Sequence, residues 1–162
     1  MSELRKSGSP KSDVTGNKKK YHSHREAWAR INQAIDEGFY FEAVTIEESI
    51  ITDRLISHLV GVGAIEREEE PDDYGTFRDL LVAWRNAGSH PIQKGGFEDL
   101  QDATFNWKNQ RNTVIHQIAK SSPGDPTEPI DDFLETAKDT AEKGKELARA
   151  IDHWHSRMKA NA

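Results

Sequence analysis

Phe97 to Ala119 reads FEDLQDATFNWKNQRNTVIHQIA, and its spacing decides the fold class. Phe97, Leu100, Trp107, Val114, Ile115 and Ile118 fall on one broad apolar arc when projected at about 100° per residue. Neither Gly nor Pro interrupts the stretch, so it reads as one amphipathic helix. Arg111 projects near the middle of the arc, where a guanidinium that cannot lose its charge needs a partner. Together with Asn112 and His116 it forms the pattern RNxxxH.

Upstream, Thr76 to Ala87 places Phe77, Leu80, Leu81 and Trp84 at helical spacing and stops before Gly88, Pro91, Gly95 and Gly96. The acidic run from Ile65 to Gly75, broken by Pro71, reads as a solvated, mobile loop. Phe39 to Val60 is the longest periodic stretch and ends at Gly61-Val62-Gly63. Phe41, Val44, Ile51, Leu55 and Leu59 form its apolar arc, and Glu48 falls near the arc's centre. A carboxylate buried there calls for a cationic or donor partner or a functional cleft, and Arg111, the other misplaced charge, is its natural partner. Glu47, Asp53 and Arg54 project elsewhere and read as surface charges. Tyr21 to Glu37 is a further helix, with Trp28, Ile31 and Ile35 inward and Gly38 as its stop.

Downstream, Ser121 to Pro129 is a proline-rich connector. Ile130 to Met158 is a last helix, with Phe133, Leu134, Ala137, Ala141, Leu147, Ile151 and Trp154 as its buried candidates. Gly144 weakens its middle. The expectation is an all-α bundle of about four to five helices over residues 21 to 158, behind a flexible basic tail, residues 1 to 20.

With 162 residues the chain suits a single core. It has no cysteine and no apolar run approaching the roughly 20 residues of a membrane span, which points to the cytoplasm and away from the membrane. The net charge is −6, but the tail carries a balance of +4, which leaves −10 on residues 21 to 162. An acidic body argues against a broad nonspecific nucleic-acid surface. Lys18-Lys19-Lys20 reads as a solvated charge run, with an electrostatic tether as the functional alternative.

RNxxxH suggests chemistry on phosphate. A histidine, with an ordinary pKa of about 6.5, exchanges protons at neutral pH, and an arginine stabilises charge developing on phosphoryl oxygens. Such a pair can cleave RNA through its own 2′-hydroxyl, with neither metal nor cofactor. Asn112 and His116 share a helical face, whereas Arg111 lies about 140° around from His116, so two subunits closing one cleft suit the geometry better than one. A second copy, Arg85 to His90, is set aside because Gly88 and Pro91 break its helix. His22, His24, His153 and His155 read as solvent-exposed, and no HExxH supports a metal hydrolase.

An all-helical domain with Arg-Asn-x-x-x-His on its penultimate helix, then a short loop and a long last helix, resembles the HEPN superfamily. Gly38 to Ala43, leading into Glu47-Glu48-Ser49 and Asp53-Arg54-Leu55, also resembles the opening helices of bacterial members. The resemblance implies a homodimeric, metal-independent endoribonuclease in a toxin, phage-defence or RNA-processing setting. Arg111 and His116 would be its catalytic pair, Asn112 an assisting group and Glu48 the support of the arginine. It also implies RNA as substrate and allows an antitoxin or regulatory protein as partner. One subgroup carries a tyrosine two residues after the histidine; Ile118 stands there, so silencing through such a tyrosine is not implied. The alternatives are a catalytically inactive HEPN-like module that binds a nucleotide or a protein, and a purely structural role for Arg111 and His116.

Overall fold

A computed structural model of the chain describes residues 16–88, 91–119 and 130–160. These form an all-α bundle: α1 (Gly16–Glu37), α2 (Tyr40–Gly61), α3 (Phe77–Ala87), α4 (Leu100–Ala119) and α5 (Ile130–Ala160), with a short 3₁₀ helix at Pro71–Tyr74. The proline-rich connector, His90 and the tail up to Thr15 lie outside the described residues. The first helix starts at Gly16, not Tyr21, so Gly16 to Lys20, read as tail, is helical.

The helix ends follow local chemistry. Gly38, at φ +82°, lets the chain turn back, so that its own N–H reaches Ile35 O and the Phe39 N–H reaches Ala34 O at 2.7 Å. Gly63 closes α2 in the same way, onto Val60 O, with Ala64 N–H on Leu59 O. At the start of α3, Thr76 Oγ1 accepts from Asp79 N–H while Asp79 Oδ2 accepts from Thr76 N–H. The Thr76 N–H on Oδ2, helped by the Thr76 hydroxyl, holds the Asp79 carboxyl below the usual range. Asp99 Oδ1 accepts from Gln101 N–H and Ile92 N–H, so α4 begins at Leu100 and not at Phe97. Phe97 instead pairs with Lys94 across a tight turn.

Helix α2 runs through the centre and packs on α1, α3 and α5, while α4 packs on α3 and α5. Its Ile50, Ile51, Leu55 and Leu59 meet Ile31 of α1, Leu80, Leu81 and Trp84 of α3, Leu100 and Trp107 of α4, and Leu147 and Ile151 of α5 in one cluster. Complete burial of each such side chain contributes about 1.5–3 kcal/mol. Ala43, Ala141 and Ala148 are fully buried as well, and their small side chains let the helices approach closely. Trp107 Nε1 donates to Thr140 O at 2.9 Å and Gln101 Nε2 to Trp84 O, tying α4 to α5 and α3.

Three expectations need correction. Ile115 and Leu134, placed in the core by spacing, are exposed, because each lies at the edge of its helix's apolar arc. The acidic loop is folded over itself: the Tyr74 hydroxyl accepts from Glu68 N–H at 2.8 Å and donates to Glu68 O. His155 is buried and His24 half-buried, not exposed. Among the described residues no helix is long and apolar enough to cross a membrane.

Candidate functional site

Arg111 stands in the second half of α4, where the helix passes α2 and α3. Its Nη1 ion-pairs with Glu48 Oε2 of α2, the partnership that the two spacings predict. Its Nη2 donates to Asn112 Oδ1 at 2.9 Å, and its Cζ lies 5.7 Å from the centroid of the Phe77 ring of α3. Carboxylate, amide and ring thus hold one guanidinium from three sides. Its side chain is 16% exposed, enough to leave one edge at the surface. The crevice beside it, between Tyr40, Phe41, Val44, Ile115 and Ala137, has no room for a water molecule.

Three of the four expected site residues, Glu48, Arg111 and Asn112, therefore come together. His116 does not join them: it is exposed and makes no hydrogen bond or ion pair among the described residues. The helical angle of about 140° between it and Arg111 accounts for the separation within one chain.

Glu48 is not the buried acid of α2. Its side chain is 26% exposed. The fully buried acid is Glu47, expected at the surface, and neither of its carboxyl oxygens has a hydrogen-bond partner among the described residues. Burial pushes its pKa up to about 9, against a smaller opposing pull from Lys145. The signal was in the sequence. Residues three and four away from Glu47 are Ala43, Val44, Ile50 and Ile51, all apolar, whereas those around Glu48 include Thr45 and Thr52. Leaving Ala43 and Ile50 out of the arc displaces its centre by one residue.

Arg85, from the second RNxxxH, serves a different purpose. Its Nη2 pairs with Asp102 Oδ1 and lies 3.7 Å from Asp99 Oδ2, and its Cζ sits 5.7 Å from the Phe105 ring centroid. Asp102 and Phe105 belong to α4 and Asp99 immediately precedes it, so Arg85 fastens α3 to α4.

Fold and geometry together define an all-α protein with a tethered guanidinium near the surface and an exposed imidazole further along the same helix. Comparison with family models, curated proteins and solved structures finds no match for this chain.

Proposed function

We propose that the protein is a metal-independent endoribonuclease of HEPN type that works as a homodimer. The observation that carries the reading is the grip of Glu48 and Asn112 on Arg111, at a surface edge of the helix that also presents His116. In the reaction, the substrate's 2′-oxygen attacks the adjacent phosphorus and the bond from phosphorus to the 5′-oxygen breaks. A 2′,3′-cyclic phosphate and a 5′-hydroxyl are left. One His116 takes the 2′-hydroxyl proton, its counterpart in the second subunit gives a proton to the leaving 5′-oxygen, and Arg111 faces the non-bridging oxygens. Exposed Ile115 and Leu134, on α4 and α5, supply apolar surface for that second subunit.

A second reading, a catalytically inactive module binding a nucleotide or a protein partner, is favoured by one specific observation. Both terminal nitrogens of Arg111 and one face of its guanidinium are already engaged, and the crevice beside it is closed.

The two readings separate on incubation of labelled single-stranded RNA with the protein in excess EDTA. Cleavage by the native chain, lowered about 100-fold or more in both His116→Ala and Arg111→Lys, is the result the nuclease requires. His116 is exposed, so its loss leaves the fold intact, and circular dichroism checks the arginine variant. Equal cleavage by all three, or cleavage abolished by EDTA, removes the nuclease reading.

A further inference from the structure

At the opposite end of α5 from the Arg111 crevice lies a cleft of about 690 Å³ between α1, α2, the loop after α2 and the last turns of α5. Thr140 borders the first and His155 the second, about 22 Å apart at a rise of about 1.5 Å per residue. In a body with a net charge of −10, the lining holds four cationic side chains, Arg25, Arg54, Arg67 and Lys159, against one carboxylate, Asp152. We propose that this cleft is a binding site for a polyphosphate group on a small molecule, separate from the RNxxxH centre and independent of any nuclease activity.

The floor of the cleft is built and fixed. Arg54 Nε ion-pairs with Asp152 Oδ1 at 2.6 Å, and Nη2 of the same guanidinium lies 3.3 Å from His24 Nδ1. His24 Nε2 in turn is 3.2 Å from Asp53 Oδ2. The two aspartates balance the charge of this floor and hold Arg54 in one orientation. The rim is uncommitted: Arg25, Arg67 and Lys159 are exposed, and none makes an ion pair among the described residues. The hydroxyls of Ser57 and Ser156 also line the cleft, with no hydrogen bond of their own among the described residues. Guanidinium groups match phosphoryl oxygens two at a time, and cations spread around a concave wall concentrate the field inside it.

The spread of the rim selects the ligand class. Its three free cations come from three different segments, so a compact monoanion meets one or two of them while a chain of linked phosphoryl groups can meet all three. Trp28 also lines the cleft, which leaves room for an aromatic substituent on the polyphosphate.

Titration calorimetry of the full chain with inorganic tripolyphosphate tests this, with ATP and sulfate as parallel ligands. The expected result is saturable one-to-one binding of tripolyphosphate. It should weaken about tenfold in each of Arg25→Glu, Arg67→Glu and Lys159→Glu, and stay unchanged in Lys138→Glu at the far end of α5. All four positions are exposed, so the variants fold. ATP binding as tightly as tripolyphosphate shows that the phosphates alone are read; tighter ATP binding with quenched tryptophan fluorescence adds a contact to Trp28. Both support the site. The proposal is overturned by no binding of either ligand at low ionic strength, by sulfate binding equally well, by Lys138→Glu weakening binding as much as the rim variants, or by single-stranded RNA alone being bound through the same residues.

Discussion

Where α2, α4 and α5 meet, Glu47 is enclosed by the Trp107 ring and Gly144 with no hydrogen bond from the described residues to either carboxyl oxygen, while the next residue, Glu48, reaches the rim and pairs with Arg111. One residue of separation turns the side chain by about 100°, and this alone divides the two fates. The interior acid is tolerated only as the neutral carboxyl, a cost to stability. The rim acid remains beside its cation and fixes where that cation points. A carboxylate's neighbours at three and four residues, not its place in a charged run, determine which role it takes.

The strongest way to test this contrast is through pH. The folded pKa of Glu47, about 9, stands above its ordinary 4.5, so between those values the folded chain holds a proton that the unfolded chain has released. Stability therefore falls as pH rises through that window, by on the order of 5 kcal/mol across all of it. In urea unfolding, the native midpoint should decline from pH 5 to 9 and that of Glu47→Gln should stay nearly level over the same range. Parallel declines would mean that Glu47 finds a partner or water, and the contrast with Glu48 would collapse.

The close contact over Glu47 comes next in size. A Cβ on Gly144 would lie 2.7 Å from Cζ2 and 2.8 Å from Nε1 of Trp107, a ring already fixed by its bond to Thr140 O. Gly144→Ala improves helix propensity by about 1 kcal/mol, but forcing the tryptophan aside costs more. The expected net loss is about 2 kcal/mol by thermal or urea unfolding. A stabilised variant would show that the three helices do not meet as tightly as this.

Much of the fold was legible because its punctuation acts locally. Gly38, Gly63 and the pair Thr76 and Asp79 end or start helices through bonds spanning a few residues, so their positions appear in the sequence as they stand in the structure. Gly144 was legible only as a weak helix former, because the ring that requires it comes from another helix. The acidic loop was misjudged for a similar reason: composition made it mobile, yet a single hydroxyl, that of Tyr74, folds it back on Glu68. At the candidate site, spacing paired Glu48 with Arg111 as found, although the projection centred the α2 arc one residue away from its buried acid, Glu47. His24, Arg54 and His155 gave no such signal, since a polar cleft assembled from α1, α2 and α5 leaves no periodic mark on any one of them.

The smallest expected effect bears most directly on the site. With side chains 16% and 26% exposed, the Arg111 to Glu48 pair lies between a surface ion pair, which contributes almost nothing, and a buried one, whose disruption is severe. A double-mutant cycle of Glu48→Gln with Arg111→Met should yield a coupling of about 1 kcal/mol. Glutamine keeps the shape and removes only the charge, so Asn112 and the Phe77 ring still hold the guanidinium in the single variant. If Arg111 faces RNA, Glu48→Gln should therefore lower the cleavage rate well beyond what the small loss of stability accounts for, because orientation, not folding, has been loosened. A coupling near zero would instead make Glu48 an ordinary surface acid, and the difference between the two glutamates would reduce to burial alone.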